Sequence, residues 1–316
     1  MHLRGGNRDL KVFYSDHFVL PLPEGHRFPM KKYSMLRERV EQGGISGLGE
    51  MRVPHAATDE EVLRAHEPTY LKKVVTGTLN AKEIRRIGFP CSEKMVERSR
   101  RASGGTIGAC RVALEEGVAA NLAGGTHHAF ADRGEGFCVL NDSAIASRVL
   151  KAQGLVERIV VLDTDVHQGN GTAAILHDNP HVFTFSIHGA KNYPFHKKES
   201  DLDVPLSDGA DDGEYLAALE RGLKRVLDLA PWDLAIFLAG ADPFVDDKLG
   251  RLSVTKEGLD ERDRMVLESC WERGIPVAVT MAGGYAKRVE DTVDIHFQTV
   301  RRAAALLTPR RRPTHG

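Results

Sequence analysis

The chain has few cysteines and no long apolar run. Four cysteines occur among its 316 residues, and none of them form a CxxC pair. This pattern excludes a disulfide framework and a zinc finger, and it favours reduced thiols in a cytoplasmic protein. The N-terminal sequence lacks the apolar core of a signal peptide, and no apolar run approaches the roughly 18 residues that a membrane span requires. We therefore expect a cytoplasmic protein without a membrane span.

An excess of charge of one sign is also lacking. The chain has 43 basic and 44 acidic residues, which gives a formal net charge of −1. A chain with this balance has no general attraction to nucleic acid or to an anionic membrane surface. Hydrophobic residues make up 41% of the sequence and charged residues 28%, which is typical of a globular protein with a large core.

Apolar strands alternate with amphipathic helices along most of the chain. Apolar runs such as 159–162 and 234–238 are each followed by a segment with helical periodicity. This alternation predicts an α/β fold with a mostly parallel sheet covered by helices on both faces. Because no repeat or linker interrupts the pattern, we predict one domain over residues 1–316, with flexible tails at 1–10 and 308–316.

Two local patterns predict details of the helices. Thr58 and Glu61 have the spacing of a capping box at the start of a short helix. The segment 92–117 has helical periodicity, and its interior pair Gly104-Gly105 indicates close packing against another part of the chain.

Five predicted strands end in residues that can carry chemistry. A single histidine or aspartate at a strand end is more often a helix cap or a hydrogen-bonded loop residue. Because ligands gather at the carboxyl ends of parallel strands, we expect the five ends to lie together. The segments are GGTHH at 124–128, DTDVH at 163–167, SIH at 186–188, GAD at 240–242 and AGGY at 282–285.

The segment after the apolar run 159–162 requires a cation. Asp163, Asp165 and His167 occupy alternate positions, so an extended strand would point all three side chains to one face. Two carboxylates on one face repel each other unless positive charge lies beside them. Asp165, His167 and Asp242 together offer two carboxylates and one imidazole, and three protein ligands plus water is typical of a catalytic zinc. The competing interpretation of Asp242 is a cap for the loop that follows it.

The adjacent histidines and a tyrosine suit the chemistry of such a metal. His127 and His128 diverge from a turn, so they are better placed for proton transfer than for binding one metal together. Tyr285 follows two glycines, which allow its loop to approach a bound ligand. Its phenol could donate a hydrogen bond to an oxyanion. Taken alone, each of these residues is an ordinary loop or packing residue.

Together these motifs resemble those of the histone deacetylase family, which has the arginase–deacetylase type of fold. The resemblance covers residues 13–307, and the segment LDTDVHQGNG is most similar to the class IV branch and its bacterial relatives. It implies a zinc-dependent amidohydrolase that acts on an acylated lysine side chain of a protein or on a small acylated amine. The matching segments, in order, are GGTHHA, GEGFCVLND, LDTDVHQGNG, GAD and GGY.

The resemblance implies a zinc site and a set of catalytic residues. His128 would be the principal general base, beside a charged His127 that Asp163 holds in place. Tyr285 would polarise the acyl carbonyl, and hydroxamates would inhibit the enzyme by binding at the zinc. The ligands of the single zinc ion would be Asp165, His167 and Asp242.

The resemblance also implies a substrate tunnel and a structural potassium ion. Gly136, Phe137 and Gly283 would line the tunnel, and either Tyr193 or Phe195 would form its opposite wall. The potassium ligands would come from Asp163, Asp165, His167, Ser186 and Ile187.

Asn170 departs from the pattern of many deacetylases, which have an aspartate at this position. An asparagine can accept a hydrogen bond from the ring of His128 but brings no negative charge. The base is therefore expected to be less basic than one supported by a carboxylate. Class IV relatives share this asparagine, so it does not argue against activity.

Three alternatives stay open at the level of sequence. A ureohydrolase of the same fold type would bind two manganese ions and need further acids, whereas Gln168 follows His167. An acetylpolyamine hydrolase would use the same chemistry on a small amine. A third possibility is an inactive module that keeps only the ligand tunnel. The oligomeric state is not predicted.

Overall fold

Eight parallel strands form the centre of the protein in a computed structural model that describes residues 9–229 and 231–308. Every adjacent pair is parallel, which confirms the predicted fold class; the sheet is parallel throughout the described residues. The strands are β1 (Leu10–Phe13), β2 (Leu48–Arg52), β3 (Val118–Asn121), β4 (Ile159–Asp163), β5 (Val182–Gly189), β6 (Leu202–Leu206), β7 (Leu234–Leu238) and β8 (Val277–Thr280). Their order across the sheet is β2-β1-β3-β8-β7-β4-β5-β6.

Helices in the described residues connect the strands and cover the sheet. Most of them follow the amphipathic segments of the sequence. The helices are α1 (Lys32–Gln42), α2 (Asp59–Leu63), α3 (Pro68–Thr76), α4 (Ala81–Ile87), α5 (Glu93–Glu116), α6 (Asp142–Ala152), α7 (Asn170–Leu176), α8 (Asp212–Leu227), α9 (Lys256–Glu272) and α10 (Val289–Leu307).

The alternation of side chains along each strand produces two separate cores. In β4, Ile159 and Val161 pack into the core that also contains buried residues of α5 and α6. Val160 and Leu162 point to the opposite face and pack with buried residues of α8, α9 and α10. The sheet is therefore buried on both faces, as a parallel sheet requires.

Both local predictions for the helices are confirmed. Thr58 Oγ1 accepts a hydrogen bond from Glu61 N at 3.2 Å, and Glu61 Oε2 accepts one from Thr58 N at 2.9 Å. These two bonds form the capping box of α2. A Cβ atom at Gly104 would lie 1.9 Å from His55 O. The glycine in α5 is therefore required by the close approach of a neighbouring backbone.

Three short elements were not expected from the sequence. The strands β2 and β6 lie at the two edges of the sheet, and β6 contains Pro205. Proline is tolerated at an edge because no further strand needs its missing N–H group. Both strands are largely half-buried and lack the continuous apolar run that marks a central strand. The helix α4 has seven residues, too few for a clear helical period.

The predicted tails 1–10 and 308–316 lie mostly outside the described residues. Leu10 is an exception, because it begins β1, is buried and pairs with Leu48 of β2. All four cysteines are free, as expected. Among the described residues, the helices are too short or too polar to cross a membrane.

The five strands that end in reactive residues are neighbours in the sheet. In the order across the sheet, β3, β8, β7, β4 and β5 are consecutive. Their carboxyl ends therefore lie side by side at one edge, which confirms the expectation that the five motifs meet there.

Candidate active site

The segment after β4 forms two successive turns. β4 ends at Asp163, so the prediction that Asp163, Asp165 and His167 share one face of an extended strand was wrong. Instead, Asp163 Oδ1 accepts a hydrogen bond from Asp165 N at 3.1 Å, and Asp165 Oδ1 accepts one from His167 N at 2.9 Å. Aspartate side chains commonly stabilise turns by such bonds to the backbone two residues on. The turns bring Asp165 and His167 together more tightly than a strand would.

Asp165, His167 and Asp242 converge at the carboxyl ends of β4 and β7. One potential ligand atom from each lies within 4.8 Å of the others, and all three residues are buried. His167 Nδ1 is 3.0 Å from Asp165 Oδ1 and 3.1 Å from Asp242 Oδ2. Over residues 9–229 and 231–308, this is the one group of three such side chains that could hold a metal.

The contacts of Asp242 do not support its alternative role as a cap for the loop that follows it. Asp242 Oδ1 accepts a hydrogen bond from Val166 N at 2.9 Å, in the segment after β4. The loop after Asp242 is instead held by Asp247, whose Oδ1 accepts bonds from Leu249 N and Gly250 N.

The electrostatics of the three residues fit a divalent cation. Burial, together with the charge of Asp165, raises the pKa of Asp242 to about 7. Burial alone would lower the pKa of His167, but its hydrogen bonds with Asp165 and Asp242 raise it to about 10. Two carboxylates this close need positive charge between them, and a metal ion can supply it in place of a proton.

Gly283 lies directly against this group, where no larger residue fits. Its N–H donates a hydrogen bond to Asp165 Oδ2 at 2.7 Å. A Cβ atom at Gly283 would lie 1.9 Å from Asp242 Oδ2. Gly283 also lines the cavity described below. The absence of a side chain at Gly283 therefore allows the loop after β8 to bond to the carboxylate of Asp165 and to approach that of Asp242.

His127 is buried beside two carboxylates. Its Nδ1 lies 2.7 Å from Asp163 Oδ2, and its Nε2 lies 3.9 Å from Asp165 Oδ1. Burial alone would lower the pKa of His127, but the charges of Asp163 and Asp165 raise it to about 9. His127 is thus favoured in its charged form at neutral pH, in agreement with the predicted role.

His128 lies next to His127 and has the opposite electrostatic environment. Its Nδ1 lies 2.7 Å from Asn170 Oδ1. Burial lowers the pKa of His128 well below its ordinary value, and the positive charges of His127 and His167 lower it further. A neutral His128 can accept a proton, so the pair divides into one charged and one neutral imidazole.

A cavity of about 630 Å³ opens onto the three converging residues and both histidines. The predicted tunnel residues Gly136 and Phe137 line it, and both adopt positive φ angles of 56° and 65°. A Cβ atom at Gly136 would lie 2.8 Å from His128 Cδ2. The ring of Phe137 lies 6.0 Å from that of Tyr285, which lines the same cavity. These residues form one wall of the tunnel.

Tyr193 lines the cavity beside the histidines. Its ring centroid is 5.0 Å from that of His128 and 6.4 Å from that of His167. Phe195 also lines the cavity, but its side chain is 84% exposed. Of the two aromatic residues left open by the sequence, Tyr193 is therefore the inner one and Phe195 belongs to the outer mouth.

The residues expected at the potassium ion lie on adjacent strands. Asp163 of β4 is paired in register with Ser186 of β5, and Ile187 follows it. Ser186 Oγ lies 3.0 Å from His188 Nδ1. Asp163, Ser186 and Ile187 are buried, and the carboxylate of Asp163 also contacts His127. Potassium binding at this place stays a prediction.

Several residues that hold the site were not identified from the sequence. Glu135 Oε1 accepts a hydrogen bond from Asn170 Nδ2 at 3.3 Å. Asp247 Oδ2 accepts one from Tyr285 N at 2.6 Å. Arg262 is fully buried in α9, and its Nη1 donates to the carbonyl of Gly240, before Asp242. In sequence these are ordinary charged residues of loops and helices, and only the tertiary fold reveals their contacts.

The sequence between residues 26 and 300 matches the family model of the histone deacetylase domain. Because this match spans most of the chain, the protein belongs to the histone deacetylase family, as the sequence motifs suggested. Members of this family are amidohydrolases of the deacetylase type, and the buried Asp–His–Asp group suits their metal-dependent chemistry.

Similar proteins occur in bacteria and plants. An uncharacterized protein of Picosynechococcus sp. is 45% identical and covers 90% of this chain and 95% of that protein. The acetoin utilization protein AcuC of Bacillus subtilis is 31% identical, with coverages of 82% and 72%. Histone deacetylase 2 of Arabidopsis thaliana is 28% identical, with coverages of 88% and 75%. The similarity thus extends over most of each chain.

Solved structures share the fold. An HDAC homologue from Aquifex aeolicus superimposes with a TM-score of 0.78 at 24% identity, over 92% of this chain and 82% of that chain. An HDAC homologue in complex with SAHA gives a TM-score of 0.80 at 24% identity, over 94% and 84%. These comparisons support the same arrangement of sheet and helices.

Proposed function

We propose that the protein is a zinc-dependent amidohydrolase that removes the acyl group from an acylated lysine side chain. The observation that carries the proposal is the convergence of Asp165, His167 and Asp242 within 4.8 Å, in a cavity that His128 and Tyr285 also line. Family membership supports the amidohydrolase class. Cysteines that form no disulfide are typical of cytoplasmic proteins, and we propose that the protein acts there.

Asp165, His167 and Asp242 would hold the zinc ion. Two oxygens and one nitrogen are common zinc donors, and three protein ligands leave a position open for water or substrate. When bound there, zinc lowers the pKa of water and polarises the acyl carbonyl as a Lewis acid. A structural potassium ion is proposed at Asp163 and Ser186.

His128 is proposed as the general base. It accepts a proton from the water that attacks the acyl carbon, since its environment favours the neutral ring. The imidazolium then gives a proton to the leaving amine as the C–N bond breaks. His127, held charged by Asp163, adds positive charge beside the developing oxyanion.

Tyr285 is proposed as the donor to that oxyanion. Its backbone is fixed by Asp247, and its ring packs beside Phe137 in the cavity. Burial raises the pKa of the Tyr285 phenol well above its ordinary value, and the nearby charge of Asp242 raises it further. The phenol therefore keeps its proton and can donate a hydrogen bond to a negative oxygen.

The walls of the cavity favour an acyl-lysine side chain as substrate. Phe137 and Tyr193 both line the cavity, and the ring of Tyr193 packs against that of His128. A lysine side chain has a long methylene stem that aromatic rings can pack against, and its amide would reach the metal site at the base. A hydroxamate should occupy the same site, as SAHA does in the HDAC homologue that shares the fold.

Three alternatives use the same cavity or the same type of fold. A small acylated amine such as an acylated polyamine would need only the inner part of the tunnel. A ureohydrolase would need further metal ligands, but Gln168 is turned away to donate to Asp203 Oδ1 at 2.8 Å. A catalytically inactive binding module would bind hydroxamate and zinc without hydrolysis.

An acyl-lysine peptide panel tests the proposal. Peptides carrying acetyl, lactyl and longer acyl groups up to myristoyl, and acylated polyamines beside them, are offered to the zinc-loaded protein, with and without a hydroxamate. We expect at least one peptide to lose its acyl group as the free carboxylic acid, which leaves an unmodified lysine side chain in the peptide, and we expect hydroxamate to inhibit this reaction. Hydrolysis of acylated polyamines alone would favour the small-amine alternative, and zinc binding without any hydrolysis would favour the inactive module.

A further inference from the structure

The mouth of the cavity carries a concentration of positive charge. The chain as a whole is almost neutral, with a formal net charge of −1. Within residues 9–229 and 231–308, the only carboxylates that line the cavity are Asp165 and Asp242, the proposed metal ligands at its base. Eight lysine and arginine side chains line it as well, of which Lys32 and Arg98 are buried. The six that reach the surface are here called the basic rim. They are Arg27, Arg85, Arg86, Lys191, Lys248 and Arg251, and all are exposed except the half-buried Arg86.

Neighbouring acids offset only part of this charge, and the charge of Arg86 contributes to lowering the pKa of Glu83. Arg251 forms a salt bridge with Asp208 at 2.7 Å, and Lys191 lies 4.0 Å from the same carboxylate. The other four members of the basic rim form no salt bridge with any residue in the part of the chain that the structure describes. Unpaired cations around an opening attract an anionic ligand and raise its association rate.

We propose that the basic rim selects acyl-lysine substrates that carry acidic residues beside the modified lysine. Its members come from separate segments: the loop before α1, the helix α4, and the loops after β5 and β7. Charges spread around an opening suit a peptide with carboxylates on both sides of the lysine. A compact dianion would instead require cations that converge on one point. This inference rests on the proposed deacylase function.

Three matched peptides test the selection. They carry the same acyl-lysine, flanked by glutamate, glutamine or lysine. We expect kcat/KM to be highest for the glutamate peptide, by on the order of tenfold over glutamine at low salt, and the advantage to shrink at high salt. Hydrolysis of the glutamate and glutamine peptides at equal rates would overturn the inference and leave the proposed function intact. If no peptide is hydrolysed at all, the proposed function itself fails.

Two charge-reversal variants in α4 test whether the preference for the glutamate peptide comes from the basic rim. Arg85→Glu should lower the ratio of kcat/KM for the glutamate peptide to that for the glutamine peptide. Lys82→Glu makes the same change in α4 at an exposed residue that does not line the cavity, so it should leave this ratio unchanged. Equal effects of both variants, or inhibition by inorganic pyrophosphate without any peptide preference, would contradict a peptide-selecting rim.

A second inference concerns the residue behind the proposed base. Glu135 is partly buried, with 17% of its side chain exposed, and its Oε1 accepts hydrogen bonds from Asn170 Nδ2 and from the hydroxyl of Tyr193. Because a carboxylate only accepts, Glu135 requires the amide nitrogen of Asn170 to face it. The amide oxygen must then face His128 Nδ1, at 2.7 Å.

The geometry assigns Glu135 as a positioning residue for His128. The oxygen of Asn170 can only accept, so His128 must carry its hydrogen on Nδ1, and Nε2 is left with the lone pair that takes a proton. The same carboxylate holds Tyr193, which packs against the ring of His128. Glu135 thereby fixes both the tautomer and the orientation of the base. This inference also rests on the proposed function.

Pairwise substitution tests this assignment. Glu135→Gln offers Asn170 either an amide oxygen or an amide nitrogen, so the side-chain amide of Asn170 can rotate by about 180° and present its nitrogen to His128. We expect kcat to fall on the order of tenfold. Asn170→Asp places a second carboxylate about 3.3 Å from Glu135, and the repulsion should also reduce turnover. In the double variant, the glutamine can donate to the new carboxylate.

The double variant Glu135→Gln/Asn170→Asp should therefore be faster than either single variant. This reversal would show that the two side chains act through each other, because independent sites give additive losses. Zinc content and hydroxamate affinity, measured on all four proteins, separate a loss of catalysis from a loss of the site. Additive losses in the double variant would overturn the assignment, whereas absence of wild-type hydrolysis would count against the proposed function.

Discussion

At the scale of single residues, the two adjacent histidines are made different by the side chain behind each. His127 contacts the carboxylate of Asp163, and its pKa is raised to about 9 against the effect of burial. His128 contacts the neutral amide of Asn170, and burial lowers its pKa. His127 can thus serve as a charged group and His128 as a base, because the side chain bonded to Nδ1 is a carboxylate in one case and a neutral amide in the other.

Replacing the amide by a carboxylate should make His128 more basic. In Asn170→Asp, the added negative charge favours the protonated ring and raises the pKa of His128. Since the base must be neutral to act, the acidic limb of the pH–rate profile should move to higher pH. The shift should be clearest in the background Glu135→Gln, where no second carboxylate competes for the proton. An acidic limb that does not move would contradict the pairing of His128 with Asn170.

Removing the proposed base or oxyanion donor should stop turnover without emptying the metal site. His128→Ala and Tyr285→Phe are each expected to lower kcat by about 10²- to 10³-fold. Neither side chain belongs to the Asp165, His167 and Asp242 group, so zinc content by elemental analysis should stay at the wild-type level. Turnover near the wild-type rate in either variant would rule out the role given to that residue.

At the scale of elements, helices behind the sheet hold the loops that carry the site. Arg262 of α9 is fully buried and donates to the carbonyl of Gly240, two residues before Asp242. Its charge is balanced by Asp263, whose Oδ1 accepts from Arg262 Nε at 2.9 Å, and Asp263 Oδ2 accepts from Thr299 of α10 at 2.6 Å. The position of Asp242 thus depends on the packing of two helices.

Breaking this buried pair should be far more damaging than breaking a half-buried pair that also joins α9 to α10. Asp263→Ala leaves a guanidinium buried without its partner and should lower the free energy of unfolding by about 3–5 kcal/mol. Asp260→Ala removes a half-buried, solvent-accessible partner of Arg302 and should cost about 1 kcal/mol. Chemical denaturation of both variants measures the difference. Equal losses of unfolding free energy in the two variants would argue that Asp263 is not needed to balance the buried charge of Arg262.

The sequence predicted the central elements because their patterns are strong, and it missed those with weak patterns. The central strands are continuous apolar runs, whereas β6 is a half-buried edge strand that includes Pro205. The site residues were identifiable because they stand at strand ends in recognisable motifs. Glu135 and Asp247 could not be identified, because each acts through a contact with a segment at least 35 residues away in sequence.

At the scale of the whole molecule, the strand order determines where the site lies. The motifs are spread from residue 124 to residue 285, yet the five strands that precede them are consecutive in the sheet. The fold therefore collects the metal group, both histidines and the tyrosine around one cavity. A metal at this place would join the loops after β4 and β7 and contribute to global stability.

Metal removal should lower the melting temperature, and more so at higher pH. In the folded chain, the pKa of His167 is raised to about 10 and that of Asp242 to about 7. Protons on these groups stabilise the metal-free fold at low pH, and that stabilisation is lost as pH rises through these values. Zinc must displace the same protons, so its binding strengthens as pH rises. The difference in Tm with and without a chelator should therefore grow from about pH 6 to about pH 9.

Thermal unfolding at several pH values, with the chelator as the only variable, measures this difference. The control is Asp242→Asn, which removes one proposed ligand and should make the Tm insensitive to the chelator at every pH. A wild-type Tm that does not respond to the chelator would contradict a metal site that links the two loops.

Zinc titration of the metal-free protein, followed by hydrolysis of the best acyl-lysine peptide, tests the central claim most directly. The claim is that one metal, held by Asp165, His167 and Asp242, supports amide hydrolysis with His128 and Tyr285. Activity should rise linearly with added zinc and reach its plateau at one zinc per chain. A plateau at two metals per chain, or no hydrolysis at any ratio although zinc binds, would contradict the account.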